Sequence, residues 1–271
     1  MSLNLIKLND LTLPELSVYT DLNEPQLRHY YEPEGGIFIA ESAAVIERAL
    51  DAGCEPISFL IENRMAEMHE ALLERSNGIP VYAGELSVLR NLTGYTVTRG
   101  MLCAMHRPAE RDMRDVCADA RRIVVLEDIT NPTNVGAIFR SAAAMGMDAV
   151  LLTRRCSDPL YRRAVRVSMG TVFQVPWAYV GGDYMEVLPE LGYKTASMAL
   201  SEKARSIDDG EVKGAKKLAV LLGSESTGLS PETLSKSDYI IKIPMSHGVD
   251  SLNVAAASAV AFWELGRCPE A

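Results

Sequence analysis

Residues 217–223 (KLAVLLG) place apolar side chains at five successive positions and end on glycine. An extended segment of this kind has no polar face to turn to water, so it reads as a strand buried on both sides within a sheet. The runs 122–128 (RIVVLED) and 148–153 (DAVLLT) have the same character, and 134–146 (NVGAIFRSAAAMG) between them reads as a helix closed by Gly146. Further strands are predicted at 171–177 (TVFQVPW), 193–200 (YKTASMAL) and 238–244 (DYIIKIP), with helices at 183–192 and 251–266. Strands alternating with helices of this length imply an α/β domain whose sheet is covered by helices.

The first half repeats the alternation on a smaller scale. Strands at 36–40 (GIFIA), 56–62 (PISFLIE), 79–84 (IPVYAG) and 98–107 (TRGMLCAMHR) alternate with helices at 41–53, 64–78 and 85–92. Residues 1–35, with Pro14, Pro25, Pro33 and Gly35, read as irregular. The segment 108–122 (PAERDMRDVCADARR) is charged, lacks strong periodicity and reads as a linker, the alternative being a surface helix within one domain. A chain of 271 residues accommodates two domains, predicted here over 1–115 and 116–271.

Composition excludes several classes of protein. With 48% hydrophobic and 23% charged residues the chain is globular, and no apolar run approaches the ~20 residues that span a bilayer. The N-terminal MSLNLIKLND lacks the pattern of a secretory signal, so a cytoplasmic protein without membrane attachment is expected. The five cysteines include no CxxC pair and the four histidines are scattered, so neither a disulfide framework nor a metal site is expected. A net charge of −9 runs against nucleic-acid binding, but the distribution of charge matters more than its sum. Between Lys7 and Lys194 there is no other lysine, and within 154–166 lie Arg154, Arg155, Arg162, Arg163 and Arg166 against the single acid Asp158. Guanidinium forks of this density suit phosphate; a solvated basic loop is the plain alternative.

Three loops that follow predicted strands carry candidate chemistry, because ligands of open α/β sheets bind outside the carboxyl ends of strands. The first is Asn131-Pro132-Thr133-Asn134-Val135-Gly136, with Arg140 one turn beyond Gly136; here Asn134 reads as a helix N-cap. The second, Gly223-Ser224-Glu225-Ser226-Thr227-Gly228, implies a tight turn with an acid held inside it. Its carboxylate would cap free backbone N–H groups or orient a neighbouring arginine. The third runs from Ile243-Pro244-Met245 to Asp250-Ser251-Leu252-Asn253, where Ser251 or Asp250 is the expected cap of the last helix. No GxGxxG and no phosphate-binding GxxxxGK[ST] occurs.

Taken together, these loops resemble the three motifs of the SpoU (TrmH-like) RNA ribose 2′-O-methyltransferases of the SPOUT superfamily. Asn131, Asn134, Gly136 and Arg140 match the first motif. Gly223, Glu225 and Gly228 match the second, and Ile243, Pro244, Ser251, Leu252 and Asn253 the third. The resemblance spans about residues 120–266, and the first half resembles more weakly the family's small ribosomal-protein-like substrate-binding domain.

The resemblance implies a parallel sheet with a C-terminal trefoil knot, a homodimer formed through the C-terminal domain, and tRNA or rRNA as substrate. It implies S-adenosylmethionine as cofactor, held by Leu222, Gly223, Gly228, Ile243, Met245, Ser251 and Leu252, largely through main-chain groups. It implies a catalytic set of Arg140, Asn134, Glu225 and Asn253 for methyl transfer to a ribose 2′-hydroxyl. The family's proposed base is the arginine. An arginine side chain keeps its proton to above about pH 12, so Arg140 reads better as a clamp on the phosphate beside the target ribose. Asn134 would position the ribose or Arg140, and Glu225 would hold Arg140. Arg154, Arg155, Arg162, Arg163 and Arg166 would grip the RNA backbone. Two other functions compete: an RNA-binding protein of the same fold without turnover, and a nucleotide-binding oxidoreductase. The intact motif residues oppose the first, and the missing glycine fingerprint opposes the second.

Overall fold

The computed structural model of the chain describes residues 3–8, 12–20, 36–75, 78–93 and 100–266. The chain forms two compact units. One comprises residues 1–109 together with 160–173, the other 110–159 and 174–271.

The first unit is built on a five-stranded mixed sheet: β1 (Leu5–Lys7), β2 (Ile37–Glu41), β3 (Pro56–Glu62), β4 (Val81–Gly84) and β5 (Met101–His106). The order is β1-β4-β3-β5-β2, with β5 antiparallel to both its neighbours and β1, β4 and β3 parallel. One core cluster forms around Leu16, Ile37, Leu60, Leu89 and Leu102. Within it the Tyr19 hydroxyl donates to the Ser58 carbonyl at 2.8 Å and accepts from the Ala104 N–H at 3.2 Å. β1 lies in the stretch read as irregular; three residues are too few to show a strand's alternation, and pairing with β4 decides it. Residues 9–11 and 21–35 of that stretch lie outside the described residues. The single helix predicted over 64–78 is two, Asn63–Met68 and Glu70–Glu74, broken at His69 (φ −127°). The predicted strand over 98–107 starts at Met101, residues 94–99 being outside the described set.

The segment 160–173 belongs to this first unit through side chains that sequence spacing does not reveal. Its helix Arg162–Val167 directs Arg162 and Arg166 at the buried Glu41 carboxylate, at 3.2 and 3.7 Å. The Arg48 guanidinium donates to the Met169 carbonyl, and the Phe173 ring lies 5.5 Å from that of Phe38. The strand predicted over 171–177 is therefore displaced: Thr171–Phe173 is a 3-10 turn, and the strand starts at Trp177. Pro176 has no N–H to give a ladder, while its carbonyl accepts from Val150.

The second unit is a seven-stranded, wholly parallel sheet: β6 (Arg122–Glu127), β7 (Ala149–Thr153), β8 (Trp177–Val180), β9 (Lys194–Met198), β10 (Arg205–Ser206), β11 (Leu218–Gly223) and β12 (Tyr239–Lys242). The order is β10-β12-β9-β11-β6-β7-β8. From β6 the chain runs outward through β7 and β8, then crosses back to fill the other side. The strand order thus reverses beside β6 and β11, and a parallel sheet opens its ligand crevice at such a point. The predicted linker contains a short helix, Met113–Cys117, capped by the Asp112 side chain. Among the described residues no helix is long and apolar enough to cross a membrane.

Arg122, the first residue of β6, is 1% exposed. Its Nε donates to the Leu265 carbonyl at 2.9 Å, and its Nη atoms reach Lys216 at 3.2 Å, Lys213 at 3.3 Å and Arg121 at 3.3 Å. One guanidinium thus satisfies carbonyls at the end of the closing helix and at the entry to β11. Replacing Arg122 by Met is expected to leave those acceptors unpaired and to lower the unfolding free energy by about 3 kcal/mol. Urea denaturation checks this; a loss under about 1 kcal/mol would show that water takes over the contacts.

Candidate functional site

Gly223 ends β11 where the chain folds back on itself. A Cβ at this position would lie 2.2 Å from the Leu229 nitrogen and 2.3 Å from the Gly228 carbonyl carbon, so only glycine fits. The turn closes by a hydrogen bond from the Gly228 N–H to the Ser224 carbonyl at 2.8 Å, with Gly228 at φ +68°. Glu225 stands at its tip. It is exposed rather than enclosed by the turn, and its Oε1 accepts from Nδ2 of Asn134.

Asn134 is free to make that bond because Asn131 caps the helix Pro132–Ala144, its side chain accepting from the Thr133 N–H at 2.9 Å. The cap assigned to Asn134 from sequence is therefore corrected by one turn: Pro132 is pre-set for the first helical position, which makes Asn131 the cap. Asn134 is 7% exposed. The last helix likewise starts at Val254, with Asn253 rather than Ser251 or Asp250 as its cap, accepting from the Ala255 N–H at 2.9 Å. Asn253 Nδ2 then donates to Asn134 Oδ1 at 3.3 Å. A continuous chain of hydrogen bonds, from Ala255 through Asn253 and Asn134 to Glu225, ties the three loops together.

The second and third of these loops line a cavity of about 590 Å³, and Asn134 of the first stands behind them, bonded to Glu225 and Asn253. Leu222, Gly223, Gly228, Ile243, Met245, Ser251 and Leu252 all line it, as do Glu225 and Asn253. Met198, Ala199 and Leu200 line it as well, and the sequence reading does not include them. Their signal is their place at the end of the predicted strand 193–200, on the same sheet edge as the other loops. Leu200, Leu252 and Val249 expose apolar side chains on the β9 end and the 243–253 loop.

Arg140 is exposed and lines no part of this cavity. Six residues beyond Asn134, it sits ~9 Å further along the helix and about 120° around it. Among the described residues its guanidinium has no ion pair or hydrogen bond. The Glu225–Arg140 contact suggested by the sequence is thus replaced by Glu225–Asn134.

A second cavity of about 370 Å³ lies at the ends of β6, β7 and β8, walled in part by Arg154, Arg155 and Lys236. Arg154 forms a two-pronged pair with Glu110 at 2.8 Å and sits 4.7 Å from the Tyr179 ring centre; Arg155 pairs with Asp128 at 3.2 Å. Glu127, a buried carboxylate missed in sequence, accepts from Tyr184 and from the Ser230 N–H, both at 2.6 Å, and from Thr233. Burial disfavours its charge, but these donors outweigh burial and hold the carboxyl below its usual range. Its ionised form therefore stabilises the fold above the ordinary carboxylate range, and that contribution is lost as pH falls. Arg162, Arg163 and Arg166 lie in the first unit, so the arginine-rich stretch divides between the two units.

The SpoU rRNA methylase family profile matches residues 121–263, from the start of β6 into the closing helix. The chain belongs to the SpoU rRNA methylase family. An uncharacterised tRNA/rRNA methyltransferase of Mycobacterium bovis is 37% identical over 258 residues, covering 94% of this chain and 89% of the relative. The 23S rRNA (guanosine-2′-O-)-methyltransferase of Acinetobacter baylyi is 31% identical over 220 residues, covering 77% and 88%. In fold, the SpoU-family chain superposes on an rRNA methyltransferase from Sinorhizobium meliloti with a TM-score of 0.79 at 22% identity, covering 97% of each chain. That protein's structure is also known with S-adenosylmethionine bound. The family match takes in every residue that lines the larger cavity, together with Asn134 and Arg140.

In this SpoU-family chain, Gly223→Ala is expected to force the 224–229 turn open and to cost about 3 kcal/mol, because backbone atoms rather than flexible side chains occupy the space. Ser226→Ala, at the exposed tip, is expected to be neutral. Thermal unfolding of the two variants measures the difference; equal midpoints would refute the close approach.

Proposed function

We propose that this SpoU-family protein transfers a methyl group from S-adenosylmethionine to a ribose 2′-hydroxyl of tRNA or rRNA. The observation that carries the reading is the larger cavity: the second and third motif loops line it, and Asn134 of the first motif joins them through its hydrogen bonds to Glu225 and Asn253. Its volume suits a nucleoside-sized ligand, and its walls combine apolar side chains with strand-end main-chain groups. Leu222, Gly223, Gly228, Ile243, Met245, Ser251 and Leu252 would hold the cofactor, which supplies an electrophilic methyl group on a sulfonium. Asn134 and Asn253 fix the geometry of the pocket rim. Arg140, exposed and without a partner among the described residues, clamps the phosphate next to the target ribose through its planar fork. Much of the rate comes from holding hydroxyl and methyl carbon close and aligned.

The domain over 1–115 would choose and position the RNA, with Arg154, Arg155 and Arg163 contributing phosphate contacts, while Arg162 and Arg166 stay on the buried Glu41. Such an RNA substrate would be met in the cytoplasm. The strand order supports a trefoil knot in the domain 116–271: β12, which follows β11, pairs with β9 and β10, both laid down before it. A homodimer is supported by the closing helix. Ala256, Val260 and Trp263 recur on one face, Val260 being 39% and Trp263 57% exposed, although the opposite face already packs in the core.

Transfer of labelled methyl to total tRNA and to rRNA, with the product tested for the alkali resistance of a 2′-O-methylated linkage, decides the activity. Arg140→Ala is expected to remove most turnover while changing S-adenosylhomocysteine affinity little, and Arg140→Lys is expected to be nearly as poor. Near-normal transfer by the Ala variant would refute the clamp. For the homodimer, Trp263→Glu is expected to halve the mass seen by light scattering; an unchanged mass would remove this helix from the interface.

A further inference from the structure

A ribose hydroxyl attacking a methyl carbon must lose its proton, and the site has to supply an acceptor. Arginine keeps its proton at any physiological pH, so Arg140 cannot fill that role in its ordinary state. Among the described residues that line the larger cavity there is no histidine, and the titratable side chains are Glu225, Asp250 and the cation Lys242. The two carboxylates differ in one respect. Glu225 Oε1 is held by the Asn134 amide, whose other end is fixed by Asn253. Asp250 has no such hold among the described residues. With Oε1 engaged, Glu225 Oε2 has no partner among the described residues.

Resting on the reading of the protein as a ribose methyltransferase, we propose that Glu225 is the base that takes the 2′-hydroxyl proton. The Asn134 amide holds one carboxylate oxygen, and the other receives the proton as the ribose oxygen bonds to the methyl carbon. The carbon–sulfur bond breaks with its electron pair going to sulfur, which leaves as a neutral thioether. The proton then passes from Glu225 to water. Arg140 and Glu225 therefore divide the work: the guanidinium holds the phosphate, and the carboxylate moves the proton. An acceptor so placed also accounts for an acid at the exposed tip of a turn that needs no acid to close.

Single-turnover methylation with wild type, Glu225→Gln and Glu225→Ala tests this. The Gln side chain keeps an acceptor for Asn134 and loses the basic oxygen. Its rate is expected to fall ~10²–10⁴-fold, with RNA KM and calorimetric S-adenosylhomocysteine affinity within about twofold of wild type. Formate or acetate added to Glu225→Ala is expected to restore part of the rate, acetate more than formate because it is the stronger base. Three results would overturn the proposal. A Gln variant with a near-normal rate would show that no base is needed there. An Ala variant deaf to added carboxylates would make Glu225 a positioning residue. Lost affinity for S-adenosylmethionine, with S-adenosylhomocysteine unaffected, would make it a counter-ion to the sulfonium. Product analysis separates the two levels: methyl on a nucleobase in wild type refutes the ribose reading and the base with it, whereas a ribose product from a fast Gln variant refutes only the base.

Discussion

The side-chain amide of Asn134 has an acceptor end and a donor end, and both are used. The carbonyl accepts from Asn253 and the NH₂ donates to Glu225, so one half-turn of helix holds the loop after β11 and the start of the closing helix together. A buried amide paired at both ends can adopt only one orientation, since a flip would set donor against donor. The larger cavity inherits its shape from this constraint, because two of the three loops around it hang from that amide.

The parallel sheet makes the arrangement possible. Every strand of the second unit presents its carboxyl end to the same edge, so loops far apart in the chain arrive side by side. The reversal of strand order beside β6 and β11 leaves a crevice there, flanked by the helix that carries Asn134 and the turn that carries Glu225. Gly223 completes the approach by removing the one Cβ that would hold the turn away from its strand.

Charge on this acidic chain is organised in local pairs. Arg154 faces Glu110, Arg155 faces Asp128, and Arg162 and Arg166 share Glu41. Exposed pairs such as the first two are held weakly, so a polyanion can compete for those guanidinium groups at small cost. Glu41 is different, because it is buried, and withdrawing Arg162 and Arg166 would take two cations away from a desolvated carboxylate. The same stretch of sequence thus contains arginines available to a phosphate backbone and arginines that fasten the chain to its own first sheet.

The sequence by itself determined the α/β class and most strand positions in the second half, because apolar runs are properties of contiguous residues, and the family resemblance picked out seven residues that line one cavity. It also brought Asn134, Glu225 and Asn253 into one site through their motifs. Only the tertiary structure decided how they meet: that Asn131 and Asn253 are the caps, that Glu225 turns to Asn134 and leaves Arg140 alone, and that Glu127 is a buried hub. It likewise decided that residues 160–173 pack on the first sheet and that 171–173 is a turn. Each of these depends on partners dozens of residues away, whose side chains compete for the same hydrogen bonds and apolar contacts. Local spacing records which groups are present, but the winner of that competition is set by which strands the fold places next to one another.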